Sequence, residues 1–204
     1  MALFSLQPTK LDQLVADAVV AHTSPAIERA ARLITWAGDE HLLCVAAALF
    51  WLAARRSPRR RRELSDHILL GTLAATALPH VIKAAVDQER PDRRTAVGQR
   101  GISKSGKRYD AFPSGHSVHV GMLAGAAELF PPPVRTTVWA AGTVVAATRV
   151  VMLAHWPSDV AAGLAIGAVL ERLLRPLSLS RSPGVNARQT MLDGRTLAAF
   201  GLKR

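Results

Sequence analysis

The order of apolar and polar positions divides the chain into a mixed N-terminal region, five apolar segments and a basic end. Leu11, Leu14, Val15, Ala18 and Val19 recur at helical spacing beside Asp12, Gln13 and Asp17, which predicts an amphipathic helix too polar to span a bilayer. Ser24-Pro25 predicts the start of a second helix. The first apolar segment, 34–54, is uninterrupted only over 42–54, with Asp39, Glu40 and His41 expected at the interface. That is short of the roughly 20 helical residues needed to cross about 30 Å of hydrocarbon. The second runs from 67 to about 86 and carries His80 and Lys83 near its end. The third starts at Ser114-Gly115-His116 and ends before Pro131-Pro132-Pro133, a run expected to stop a helix. The fourth, 136–155, and the fifth, 157 to about 174, are the clearest. The pattern predicts an all-α polytopic membrane helix bundle with about five transmembrane helices. An amphipathic or interfacial segment is expected over 1–33, the transmembrane domain over 34–175 and a basic cytoplasmic tail over 176–204.

Composition sharpens this picture without replacing it. A chain of 204 residues is most simply one domain. Its mean hydropathy, +0.15, is mild, so the membrane assignment rests on where the apolar residues lie. The net charge of +11 fits nucleic acid, anionic lipid or an anionic substrate. Arg55, Arg56 and Arg59 to Arg62 fall between two apolar spans, which favours a topogenic, lipid-contacting loop over a nucleic-acid patch, and no nucleic-acid partner is expected. These arginines and the seven lysines and arginines from Arg172 onward place the 55–66 loop and the tail in the cytoplasm, and the opposite span ends outside it. Cys44 is the one cysteine, which excludes an intramolecular disulfide and a cysteine-cluster metal site; it reads as inert packing. Residues 1–33 lack a basic stretch followed by an apolar one, so no cleaved signal peptide is expected.

The charged residues near the span ends form a chemical set. Arg149 offers a planar fork of donors that matches two phosphate oxygens. His155 can be a neutral nucleophile near pH 7. Pro157 suits the first position of a helix, which puts Asp159 in its first turn, from where a carboxylate can reach back toward His155. Upstream, Lys83 is followed seven residues on by Arg90-Pro91, and Pro113-Ser114-Gly115-His116 precedes an apolar run. Glycine allows close backbone approach, and the free N–H groups of a helix start attract an anion. Cleaving a phosphate ester needs this combination: cations on the equatorial oxygens, an in-line nucleophile and a proton for the leaving oxygen.

In order, K-x6-R-P (83–91), P-S-G-H (113–116) and [S/T]-R-x5-H-x3-D (148–159) resemble the three-part signature of the type 2 phosphatidic acid phosphatase (PAP2) family. Its superfamily also includes bacterial non-specific acid phosphatases and vanadium haloperoxidases. The resemblance covers residues 83–159 and extends loosely over 34–175, with Thr148 where the family usually has serine. It implies a PAP2-like catalytic core in which Lys83, Arg90, Arg149, Ser114 and the Gly115 N–H hold the phosphoryl group. His155 becomes phosphohistidine, Asp159 orients it, and His116 protonates the leaving oxygen. Neither metal nor cofactor is expected. The implied substrate is a lipid phosphate or diphosphate, phosphatidate-like or polyprenyl, met among membrane lipids by an integral protein of the bacterial cytoplasmic membrane whose site faces outward. A lipid phosphotransferase, a non-specific acid phosphatase and a non-enzymatic anionic-lipid-binding protein stay open as alternatives. His119 is expected in packing or a supporting bond, and His80 and His41 at the interface.

Overall fold

The computed structural model describes residues 3–94 and 106–179. Most of the basic tail expected over 176–204 lies outside these residues. Short sequence signals start most of the helices. Thr9 and Asp12 form a reciprocal capping box on α1 (Lys10–His22). Ser24 caps α2 (Pro25–Thr35), which passes through a 3₁₀ turn at Trp36–Gly38 to α3 (Glu40–Ala54), capped by Asp39. Pro58 precedes α4 (Arg59–Ala85). A two-residue strand β2 (Val86–Asp87) pairs in parallel with β1 (Phe4–Ser5), and the short α5 (Pro91–Arg94) follows. Ser114 caps α6 (Gly115–Ala127), and α7 (Pro132–Val151) and α8 (Pro157–Ser178) complete the order.

The all-α class holds, but several boundaries differ from the pattern. The first segment is broken at 36–38, so α2 and α3 form a pair bent by 41°. Arg59 to Arg62 are the opening turn of α4 and not loop, because Pro58 starts the helix before them. The proline run begins α7 where it was expected only to end a helix: the first N–H groups of a helix have no internal partner, so Pro132 and Pro133 cost nothing there. α6 has 13 residues, about 20 Å at 1.5 Å each, less than a bilayer core. By length and composition α4 alone among the described helices can cross a membrane, or α4 and the bent α2–α3 pair. α7 and α8, expected as the clearest spans, are long enough but carry Arg135, Arg149, Glu171, Arg172 and Arg175.

Polarity is arranged inside out. Leu42, Val45, Leu49 and Leu52 of α3, Val81 of α4, Trp139 and Val144 of α7, and Val169, Leu173 and Leu177 of α8 are exposed. Small residues fill the interior instead, as where lipid gives large side chains no reason to turn inward. α6 lies at the centre with Val118, Met122, Ala124 and Ala126 buried. It meets α8 so closely that a Cβ on Gly121 would overlap the Leu164 carbonyl and one on Gly167 the Val118 carbonyl. At the end of α4 remote from Lys83, buried His67 meets Glu171 at 3.1 Å and Ser178 at 2.6 Å. Arg175 holds both Glu171 carboxylate oxygens, at 2.8 and 3.0 Å, and the Gly125 carbonyl. A buried carboxylate is tolerable only when paired in this way.

The apolar stripe foreseen on α1 is split: Leu11 and Leu14 face outward, while Val15 and Val19 are half-buried and Val19 packs on the core. Leu11 and Leu14 are each 66% exposed, while Asp12 and Ala16 are buried at 2%. The α6–α8 contact yields the first expectation. Gly121→Leu should force the two helices apart at a backbone–backbone contact, costing about 1–3 kcal/mol or more. The check is thermal unfolding of detergent-solubilised protein, with Leu49→Ala on the exposed face of α3 as a control that changes little.

Candidate active site

The last turn of α4 delivers Lys83, and β2 then carries the chain to Arg90. The far side of the loop returns beside it: Gln88 N–H donates to the Tyr109 carbonyl, Arg90 N–H to that of Arg108, and Ala111 N–H to that of Gln88. Ser114 opens α6, placing Gly115 and His116 in its first turn, and Arg149 lies in the last turn of α7. The chain then folds back through 152–156 and presents His155. Lys83, Arg90, Gly115, His116, Arg149 and His155 thus line one cavity of about 230 Å³, with Asp39, Glu40 and His80 also on its wall. Of the eight residues named from the sequence, six converge there; Ser114 and Asp159 do not line it.

The arginines are held by groups the sequence did not announce. Arg90 is buried, donating from Nε to Asp110 at 2.7 Å and to the Lys107 carbonyl at 3.1 Å, and from Nη1 to the Ala154 carbonyl at 2.8 Å. Burial pushes the Asp110 carboxyl up, but the bond from Arg90, its charge and that of Lys83 outweigh this and hold it below the ordinary carboxylate value. Arg149 donates from Nη1 to Thr35 at 2.9 Å, across 114 residues, while its buried Nε meets no partner. A buried guanidinium N–H without an acceptor, in a cavity lined by two more cations, is provision for an anion. Gly38 completes the wall, since a Cβ there would stand 2.8 Å from the His116 ring.

His155 is fixed differently from the expectation. Its Nδ1 lies 2.6 Å from the Ala111 carbonyl, whereas the Asp159 carboxylate is 3.9 Å away. A carbonyl can only accept, so Nδ1 carries the proton and Nε2 keeps its lone pair. Asp159 instead accepts the Trp156 N–H at 2.9 Å, and its other oxygen is buried and unpartnered. The carboxylate is drawn to the start of its own helix, where an N–H needs an acceptor. Ser114 is likewise occupied as a cap, accepting from the Ser117 hydroxyl at 3.0 Å and, more weakly, from its N–H at 3.4 Å. His119 has the supporting role expected, bridging the Gly115 carbonyl and Thr76, each at 3.1 Å. Cys44 contacts the same Thr76 hydroxyl, and His80 faces Glu40 at 3.4 Å.

The turn that presents His155 is strained and anchored. Leu153 has φ of +53°, in the left-handed region that costs a bulky residue about 1–3 kcal/mol. Burial with Ala16, Ala111 and Trp156 offsets this, as do bonds from Ala154 N–H and His155 N–H to the Arg149 carbonyl. Trp156 Nε1 donates to the Glu89 carbonyl at 2.8 Å. Sequence could have raised Asp110 only as one carboxylate in a basic loop; Thr35, Ala111 and Gly38 carry no local signal at all.

The chain is similar to known proteins in sequence and in fold. The family model described as PAP2 superfamily matches residues 67–181. The lipid A 1-phosphatase of Rhizobium etli is 30% identical over 179 residues, covering 80% of this chain and 77% of that protein. The decaprenylphosphoryl-5-phosphoribose phosphatase of Mycobacterium tuberculosis is 31% identical over 158 residues, covering 74% and 84%. The crystal structure of Aquifex aeolicus LpxE superposes with a TM-score of 0.61 at 15% identity, over 85% of this chain and 98% of that one. A PAP2 type phosphatidylglycerolphosphate phosphatase from Bacillus subtilis gives 0.60 at 17%, over 84% and 87%.

The environment of His155 makes stability depend on pH. Burial first, then repulsion from Arg90, Arg149 and Lys83, pushes its pKa well below the ordinary 6.5, against the opposing bond to Ala111. As pH falls below 6.5 the unfolded chain takes up a proton that the folded one refuses. This contribution therefore destabilises on the acid side, by up to about 1.4 kcal/mol per pH unit until the folded value is reached. His155→Asn should flatten the loss of stability between about pH 6.5 and 5, as read from unfolding midpoints in detergent.

Proposed function

The chain belongs to the PAP2 superfamily and is a phosphatase; from that premise we propose that it is an integral membrane enzyme hydrolysing a lipid phosphate or diphosphate through a phosphohistidine. The observation that carries this reading is the convergence of Lys83, Arg90 and Arg149 with His116 and His155 on one cavity. The lipid part is supported by the relatives, named as phosphatases of lipid A and of a decaprenyl-linked phosphoribose. It is supported also by an apolar groove of about 180 Å³, lined by Leu43, Val120, Leu123 and Val145, that shares Gly38 with the cationic cavity. A phosphate in the cavity can thereby be continuous with a chain lying between α3, α6 and α7.

The chemistry follows from the donors available. Lys83, Arg90, Arg149 and the Gly115 N–H hold the phosphoryl oxygens and stabilise the charge they gain in the transition state. His155 Nε2 attacks phosphorus; the N–P bond forms as the bond to the lipid oxygen breaks, and His116 gives that oxygen its proton. The Ala111 carbonyl accepts from Nδ1–H and stabilises the imidazolium character that develops. Water, deprotonated by His116, then attacks phosphorus, the N–P bond breaks and phosphate leaves. With a diphosphate substrate the first leaving group is the lipid monophosphate.

His155→Ala should lower turnover by orders of magnitude while the protein stays folded, and denatured wild-type enzyme quenched during turnover should carry acid-labile phosphate. His116→Ala should slow phosphoenzyme formation from an alkyl phosphate far more than from an activated aryl phosphate, whose leaving group needs no proton, while slowing hydrolysis of the phosphoenzyme alike for both. Near-normal turnover by His155→Ala would sink the nucleophile assignment, and equal losses in phosphoenzyme formation on both substrates would sink the acid role.

The charge pattern of the sequence supports an outward-facing site in the cytoplasmic membrane. In a Cys44→Ala background, an impermeant thiol reagent applied to intact cells should label a cysteine introduced at Tyr109, which is 48% exposed, and spare one at Arg56. The reverse pattern would put the site in the cytoplasm.

A further inference from the structure

We propose that Asp12, on the N-terminal helix and outside the matched family region, is a positioning residue for His155, fixing the start of α8 and with it the turn that presents the nucleophile. The need arises from the sequence of α8 itself. Its cap position is Trp156, whose side chain has no oxygen to accept the helix's free N–H groups, and its first residue is Pro157. The first free N–H is therefore that of Ser158, three residues after His155. Asp12 supplies the missing acceptor from 146 residues away: Oδ1 accepts the Ser158 N–H and Oδ2 the Ser158 hydroxyl, both at 2.9 Å.

The carboxylate is built into this place. It is 2% exposed, and Oδ2 also accepts the Thr9 N–H and hydroxyl, each at 2.8 Å. One buried side chain thus closes the capping box of α1 and caps α8. Burial pushes its carboxyl up, but the bonds from Ser158 and Thr9 outweigh this and hold it below the ordinary carboxylate value, so it is charged at neutral pH and suits the positive end of α8.

Two further contacts make the N-terminal segment part of the site and not an appendage. Ala16 packs with Ala111, Leu153 and Trp156, joining the helix to the residue whose carbonyl holds His155 and to the strained turn. β1 pairs with β2 between Lys83 and Arg90, and Leu3 N–H and Leu6 N–H donate to the Ala85 and Asp87 carbonyls at 2.8 Å. Loosening the Asp12–Ser158 contact frees the start of α8, while Lys83 and Arg149 keep their places on α4 and α7 and Arg90 keeps its anchor on Asp110. The loss should therefore fall on the chemical step and not on phosphate binding.

The proposal rests on His155 being the nucleophile, and the experiment separates the two. Full-length wild type, His155→Ala, Asp12→Ala, Asp12→Asn and Ser158→Ala are purified in detergent. Unfolding midpoints, kcat and KM are measured on para-nitrophenyl phosphate and on a short-chain phosphatidate, with rapid-quench formation of phosphoenzyme. Asp12→Ala is expected to lower kcat and the phosphoenzyme rate by about 10- to 100-fold on both substrates, with KM within about twofold. Asp12→Asn, which keeps one acceptor oxygen, should recover part of the loss. If Asp12→Ala does not fold, Ser158→Ala carries the test, with an expected kcat loss of about threefold or more. Wild-type kcat in folded Asp12→Ala, or in Ser158→Ala where the former does not fold, overturns the proposal even if the melting point drops. Retained turnover in His155→Ala would instead overturn the reading of the nucleophile.

Discussion

Repulsion among like charges is the constraint on which this molecule is organised. Lys83, Arg90 and Arg149 share a largely buried cavity with two imidazoles, in surroundings where water screens poorly. Left to themselves, such cations would move apart or into solvent. Each is instead tethered by structure that has little else to do. Arg90 is fixed by Asp110 and the Ala154 carbonyl, and Arg149 by Thr35, while Lys83 is carried in on the end of a long helix. Asp110 opposes part of the positive charge, and the remaining charge is what an incoming phosphoryl group meets. The neutral state of His155 follows from burial first and then from the same crowding: the environment that would repel its proton keeps it nucleophilic.

Holding these groups requires a rigid floor, which the helix bundle provides with small residues. Gly121 and Gly167 let α6 and α8 approach to backbone contact, so the first turn of α6, bearing Gly115 and His116, cannot move independently of α8. At the other end the His67–Glu171–Arg175 cluster closes the bundle, with the Arg175 ion pair and the His67 hydrogen bond satisfying a carboxylate that could not be buried alone. Large apolar side chains face outward, so the fold depends on a surrounding apolar medium.

The turn between α7 and α8 links floor and site. Backbone strain at Leu153 persists because the residues on either side are bonded from five directions: the Arg149, Ala111 and Glu89 carbonyls, the Asp12 carboxylate and the Arg90 guanidinium. Strain of this kind survives only where surrounding contacts over-determine the conformation. It serves to aim one imidazole at the cavity.

The helical class, the order of the apolar segments, the family resemblance and six of the residues that line the cavity are legible in the chain's own pattern. These depend on local spacing and residue type, and Lys83, Arg90, Gly115, His116, Arg149 and His155 can be read from motifs a few residues long. How those residues are held is set by contacts formed on folding. Thr35 with Arg149, Asp110 with Arg90, the Ala111 carbonyl with His155 and Asp12 with Ser158 are separated by 20 to 146 residues, and no periodicity relates them. The same limit explains what local reading leaves out. Proximity in sequence puts Asp159 near His155, at 3.9 Å, yet the nearer demand of a helix start engages its carboxylate. On α1 the apolar stripe marks an amphipathic helix, and a distant uncapped helix draws in the aspartate beside it. Local pattern fixes which groups a segment can offer; which of them is used depends on unsatisfied donors and charges that other segments bring within reach.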